Sequence, residues 1–259
     1  MNIKQKLDYH YKVFDKSQIS PDPLQFLHLF NDERNIEAMG FIASVFAYGN
    51  VKQIINFLDR ILAIVENKPY EFLLQLDEKK LAQLELLKYR FYTGTDIRNF
   101  IKILGNTYKE KYYLKNVFLE NYISENRNLK NEVSSFSNYF LERIKRESKG
   151  GQLSLGAKFM FPLPELGSAC KRMNLFLRWM IRKDELDFGI WNEIPRNKLI
   201  IPVDTHVARI CRKLRLTRRK NISWKMAEEI TSKLLKLDPV DPVKYDFAIC
   251  HIGMRKMEF

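Results

Sequence analysis

Apolar residues recur at intervals of three and four along most of the chain, and no stretch alternates with a period of two for the length of a strand. That pattern predicts an all-α protein. Between residues 34 and 66 the periodicity is broken once, by Tyr48-Gly49-Asn50, which predicts two helices joined by a tight turn. Ala38, Phe41, Ile42, Val45 and Phe46 form the inward stripe of the first; Ile54, Phe57, Leu58, Ile61, Leu62 and Val65 form that of the second. Further helices are expected over roughly 69–90, 95–107, 112–123 and 129–147. Gly150-Gly151 then opens a passage of low helical propensity that runs to Gly167 and contains Pro162 and Pro164, the clearest loop in the middle of the chain.

In the second half, Ser168 precedes a helix whose buried stripe is Ala169, Met173, Phe176, Leu177 and Met180. Lys171, Arg178 and Arg182 line up beside it as a basic stripe. A polar linker over 183–198 leads to a helix with Val207, Ile210, Cys211 and Leu214 on its apolar face and Arg209, Arg212 and Lys213 on the other. Ser223 caps a helix that Asp238-Pro239 ends, and Asp241-Pro242 opens a last one that stops at Gly253. The sum is about ten helices.

One carboxylate stands out in this pattern. Pro202 and Val203 arrive extended, so Asp204 is the expected N-cap of the helix that follows. Free N–H groups of the first turn and the positive end of the helix dipole both favour its ionised form. An aspartate in this position either caps the helix only or also supplies a fixed negative charge to a site.

Composition narrows the options. The chain has 259 residues and 46% hydrophobic content, which excludes a disordered chain. Lysine and arginine outnumber aspartate and glutamate by 44 to 31, a formal net charge of +13, so its field should attract polyanions, nucleic acid before a membrane surface. Cys170, Cys211 and Cys250 lie far apart with no C-x-x-C pair, which points to a reducing compartment and away from a zinc or iron–sulfur site. Neither a signal-peptide core nor a membrane-spanning apolar run is found, so a cytoplasmic location is expected, nucleoid-associated if the source is bacterial.

Ile-Pro-Val-Asp-Thr-His-Val-Ala-Arg-Ile-Cys-Arg-Lys-Leu, residues 201–214, resembles the signature that follows the hairpin in the helix-hairpin-helix DNA glycosylase superfamily, of which endonuclease III is a member. Leu163-Pro164-Glu165-Leu166-Gly167-Ser168 stands where that superfamily has its Gly-rich hairpin turn, and Tyr245 to Gly253 resembles its closing helix. Residues 167–180 also resemble a bacterial family of unknown function at the edge of the superfamily. The likeness covers about 100 residues at the carboxy end; the first 150 match in helical character alone. Three positions depart from the pattern. Glu165 replaces the first glycine of the turn, residues 183–198 lengthen the path to the aspartate, and Ala169 occupies the place of the lysine used by strand-cleaving members. Lys171 is the nearest substitute, but two residues along a continuous helix is a rotation of about 200°, so Ala169 and Lys171 would face different ways.

The resemblance implies a two-lobed helical fold, with residues 30–190 as one lobe, 1–29 and 191–259 as the other, and an active-site cleft at their junction. It implies base excision: hydrolysis of the N-glycosidic bond of a damaged or mismatched base flipped from double-stranded DNA, with Asp204 as the catalytic carboxylate. Monofunctional action is expected over lyase action, with no metal or organic cofactor and a monomeric enzyme. Lys171 is a Schiff-base nucleophile, a phosphate contact or a plain solvated charge. Gly167, Ser168, Arg178, His206, Arg209 and Arg212 are the other expected nucleic-acid contacts, with Arg218 and Arg219 nearby. Tyr48-Gly49-Asn50 and Tyr89-Arg90-Phe91 either touch the duplex or serve as a corner and as core. RNA is a further possible substrate, and a binding protein that keeps the fold without the chemistry is the alternative reading.

Overall fold

The computed structural model describes residues 2–255. They form thirteen α-helices with six short 3-10 segments and no strand; the only ladder pairings among them are the isolated bridges Tyr89 with Tyr92 and Lys183 with Phe188. The all-α expectation holds, and the helix count exceeds ten for identifiable reasons. The N-terminal helix α1 (Ile3–Val13) and the six-residue α9 (Leu155–Met160) are too short or too polar to give a periodic window. The 69–90 stretch divides into α4 (Pro69–Leu74) and α5 (Glu78–Glu85), because Asp77 caps a new helix through the N–H of Lys80.

The chain forms two compact units. One comprises Pro21–Ser124 and Asn131–Leu163; the other comprises Met1–Ser20, Glu125–Lys130 and Pro164–Phe259. The divisions fall at 20/21, 124/125, 130/131 and 163/164 rather than at 29/30 and 190/191.

The first unit is built on α2 (Glu33–Phe46), which is buried around nearly its whole circumference from Asn35 to Phe46. A central helix must be apolar on all sides, so the single inward stripe read from spacing understates its burial. Phe41 meets Phe100, Phe136, Phe140 and Phe161, with ring centroids 5.0 to 6.2 Å apart. Three of those rings come from α6 (Gly94–Lys111) and α8 (Lys130–Glu147): Phe100 from the first, Phe136 and Phe140 from the second. Glu37, fully buried in α2, accepts the Tyr108 hydroxyl at 3.0 Å and the backbone N–H groups of Leu114 and Lys115 at 2.8 and 3.2 Å. Its charge therefore serves as an external N-cap for α7 (Leu114–Leu119), which lacks a side-chain cap of its own. The predicted corner at Tyr48 to Asn50 is present, joining α2 to α3 (Val51–Ile64).

In the second unit, α10 (Lys171–Ile181) starts later than expected. Cys170 sits in the left-handed region at φ +46°, so no continuous helix runs from Ser168, and the rotation argument separating Ala169 from Lys171 does not apply. The basic stripe also fails. Arg178 and Arg182 are 3% and 2% exposed, buried with Arg172 to Ile181, while Lys171 keeps an accessible edge. Their partners come partly from 183–198, which is no linker: Phe188 and Trp191 donate backbone N–H groups to the carbonyls of Trp179 and Met180 at 2.9 and 2.8 Å, closing the end of α10. Leu186, Trp191 and Ile194 are buried there. Helix α11 (Thr205–Lys213) packs along α13 (Asp246–Met254), which also packs on α1, while α12 (Trp224–Leu235) completes the unit.

Candidate active site at the start of α11

Asp204 caps α11 as its sequence context requires. One carboxylate oxygen accepts the N–H groups of His206 and Val207, both at 2.9 Å. The other lies 3.2 Å from Nζ of Lys171, the first residue of α10. Both side chains keep an accessible edge, 21% for Asp204 and 32% for Lys171. Burial pushes the Asp204 carboxyl up, but the Lys171 ammonium and the capping N–H groups outweigh it and hold the acid below its ordinary range. The result is a carboxylate fixed in its ionised form beside an amine.

α13 sets this geometry from behind. The Gly253 carbonyl accepts hydrogen bonds from Nδ1 of His206 at 3.2 Å and Nη2 of Arg209 at 2.5 Å, locking the first turn of α11. A carbonyl can only accept, so Nδ1 of His206 carries the proton. No side chain fits at this crossing. A Cβ on Gly253 would stand 2.9 Å from the His206 Cβ and 3.2 Å from its carbonyl oxygen. Gly253→Ala is therefore expected to destabilise the protein by about 1–3 kcal/mol and to weaken whatever function Asp204 performs, read from a urea melt and an activity assay on one preparation.

A buried charge cluster ties α10 to α13 at the same place. Arg178 donates to Asp246 at 2.6 Å and pairs with Asp187 at 3.2 Å; Arg182 bonds Asp187, Asp184 and Asp241, the last two at 2.8 Å. Two guanidinium groups thus face four carboxylates. Burial pushes Asp187 up, and it pushes Asp246 up to about 6, with the Asp204 charge adding to the effect and Arg178 and Lys171 opposing it. Among the described residues Oδ1 of Asp246 has no hydrogen-bond partner, so burial of this oxygen is not offset by them.

A carboxyl raised in the folded state takes up a proton on folding between the unfolded value of 3.8 and about 6, so its contribution to stability grows as pH falls through that window. The stability advantage of wild type over Asp246→Asn is expected to be larger at pH 4.5 than at pH 7.5. Urea midpoints at the two values check this, and an equal advantage at both would rule it out.

The remaining expected contacts divide sharply. Arg178 is inside the protein, out of reach of any phosphate; this corrects its placement among nucleic-acid contacts, and the reason is the pairing with Asp187 and Asp246. Arg212 is exposed and donates to the backbone carbonyls of Arg219 and Lys220 at 2.9 and 2.6 Å, holding the loop that follows. Arg212, Lys213, Arg215, Arg218, Arg219 and Lys220 are all exposed, a cationic surface concentrated in nine residues. Arg219 also pairs with Glu229 at 2.8 Å.

The turn before α10 has Gly167 at φ +86°, a conformation that favours glycine, with open space where a side chain would stand. Its carbonyl accepts the Trp224 N–H at 3.2 Å, anchoring the turn to the first residue of α12. Ser168 accepts the Cys170 N–H at 3.1 Å through its hydroxyl, so it shapes the left-handed step into α10. Cys170 itself is buried, its thiol pushed up to about 12 by burial, and is no nucleophile. Cys211 is raised for the same reason. His251 packs between Phe247 and Phe14. No group of three or more histidine, cysteine, aspartate or glutamate side chains able to hold a metal ion occurs among the described residues.

Asp246 is the residue of this site that spacing alone did not single out. A signal for it was present: an aspartate inside the apolar run Tyr245 to Ile252, and Arg178 inside the apolar run of α10 with Arg182 just after it, are charges that need each other.

These features define an all-helical protein with a helix-capping carboxylate ion-paired to a lysine at the start of a second helix. Over residues 22–255 the chain matches the family described as Protein of unknown function (DUF2400), and it belongs to that family. No curated protein and no solved structure matches it. Among the described residues no helix is long and apolar enough to cross a membrane.

Proposed function

We propose that this protein is a DNA glycosylase that hydrolyses the N-glycosidic bond of a damaged or mismatched base, with Asp204 as its catalytic carboxylate. The observation that carries the reading is the Lys171 to Asp204 contact of 3.2 Å at the capped start of α11. Loss of a base leaves positive charge on the deoxyribose; a carboxylate kept ionised by N–H groups and an ammonium stabilises that charge without having to reorganise. Water then adds to C1′, and the base leaves with a proton. The likeness of residues 201–214 to helix-hairpin-helix glycosylases and the exposed cations from Arg212 to Lys220 support a duplex as the substrate. Duplexes carrying single uracil, hypoxanthine, 8-oxoguanine, 3-methyladenine or thymine glycol residues, or a G·T mismatch, test this. Abasic sites that appear with wild type on at least one of them are expected. Binding of every duplex with no abasic site would leave the alternative, a nucleic-acid-binding protein without the chemistry.

The same contact favours a second reading, in which the Lys171 amine, having passed its proton to water, attacks C1′ and displaces the base, which leaves with a proton; opening of the C1′–O4′ bond, with the nitrogen's remaining extra proton passing to O4′, then gives a Schiff base. Sodium borohydride added during reaction would then trap a covalent complex that Lys171→Gln cannot form. A hydrolytic enzyme gives no trapped complex at all.

A further inference from the structure

The first unit carries a basic groove that has no part in the Asp204 chemistry. Gln53, Asn56 and Arg60 follow one another at i, i+3 and i+7 along α3 and are all exposed. Facing them is the tight turn Tyr89-Arg90-Phe91-Tyr92, closed by reciprocal backbone hydrogen bonds of 3.2 and 2.8 Å between Tyr89 and Tyr92. Together with Phe57 and Lys88 these elements line a groove of about 640 Å³, within the range of small-ligand sites.

The chemistry of its lining is specific. Phe57 and Tyr89 stack at 4.5 Å and 25° to make an aromatic floor. Phe91 is 42% exposed at the rim, and Tyr48, 40% exposed, stands beside it with ring centroids 5.8 Å apart. Arg60, Lys88 and Arg90 supply three cations, none in an ion pair among the described residues, and no carboxylate is among the lining residues. Arg90 is held out by a left-handed backbone at φ +52° and by its guanidinium lying 5.1 Å over the Tyr48 ring. A bulky side chain in that backbone region costs free energy, so the turn is shaped for presenting Arg90 and Phe91 rather than for its own stability.

Aromatic faces beside unpaired cations, with two amides to read a base edge, are what a nucleotide requires: a ring to stack, a phosphate to neutralise, a few directed hydrogen bonds. We propose that this groove binds one nucleotide unit, its phosphate at Arg60 and Lys88 and its base on Phe91. The unit belongs to a single strand of nucleic acid or is a free nucleotide. The inference does not depend on the glycosylase reading, since every residue in it lies in the other unit and no bond is made or broken.

Binding of a fluorescein-labelled deoxythymidine 10-mer to the full chain tests it, with dTMP and inorganic phosphate as competitors. Arg60→Ala with Lys88→Ala is expected to weaken 10-mer binding at least tenfold, and Phe91→Ala severalfold. Removing equal charge from α8, with Lys145→Ala and Arg146→Ala, should cost less than twofold. Displacement by dTMP but not by phosphate at equal concentration identifies a free nucleotide as a sufficient ligand; displacement by neither identifies the strand. All four substituted groove and α8 side chains other than Phe91 are exposed charges, and a thermal melt on each variant shows that it folds. Equal losses from the groove pair and the α8 pair, or unchanged binding by both groove variants, would overturn the proposal.

Discussion

Asp204→Asn is expected to leave the protein almost as stable as wild type while lowering base excision by about 10²- to 10³-fold. Asparagine caps a helix as well as aspartate does, so the His206 and Val207 N–H groups stay satisfied. What disappears is the negative charge and its pairing with Lys171, a partly accessible contact worth about 1 kcal/mol. Asp204→Ala removes cap and charge together and should cost roughly 1 kcal/mol more than Asp204→Asn, with the same loss of activity. Urea melts and single-turnover excision on the same three proteins separate the two roles of this residue. An Asp204→Asn protein that excises as fast as wild type would reduce Asp204 to a cap.

The largest effect on stability should come from Arg178→Met. Methionine fills similar volume in the interior of α10, but it leaves Asp187 and Asp246 buried without their shared cation. Removing one partner of a buried ion pair costs about 3–5 kcal/mol. Arg182 stays paired with Asp187, Asp184 and Asp241, so the acid left without an ion-pair partner among the described residues is Asp246. The same substitution discriminates between the two roles that an arginine in this helix could have. A phosphate contact on an exposed face would cost little stability and would flatten the salt dependence of DNA binding; a buried clamp does the opposite. Denaturant melts and a salt titration of duplex binding give both numbers, and a stability loss under about 1 kcal/mol would contradict the clamp.

The parts of this protein that could be read from spacing are those decided locally. The face of α11, its cap at Asp204, the corner after α2 and the exposed cations from Arg212 onward depend on neighbours within a few residues. The ion pair between Lys171 and Asp204 does not. It requires Cys170 to leave the helical region, so that α10 begins at Lys171, and no propensity marks a cysteine for that conformation. Spacing places Arg178 and Arg182 outward because arginine is seldom buried unless it is paired, and two of their partners, Asp241 and Asp246, lie 59 and 68 residues away. Residues 183–198 look like a linker for a related reason: Asp184 and Asp187 are charges, but they pair with Arg182 at the end of α10 rather than face solvent. Sequence pattern reports which residues repel water, and it is silent about which charges have found each other.

The most direct test of the central claim is the identification of the released base. Duplexes bearing single lesions would be incubated with excess protein, and the small-molecule fraction analysed by mass spectrometry. Free base from one lesion class, with an abasic strand left behind and release depending on the Asp204 carboxylate, is the expected result. Recovery of every lesion still attached to its strand, from duplexes that the protein binds, would contradict it.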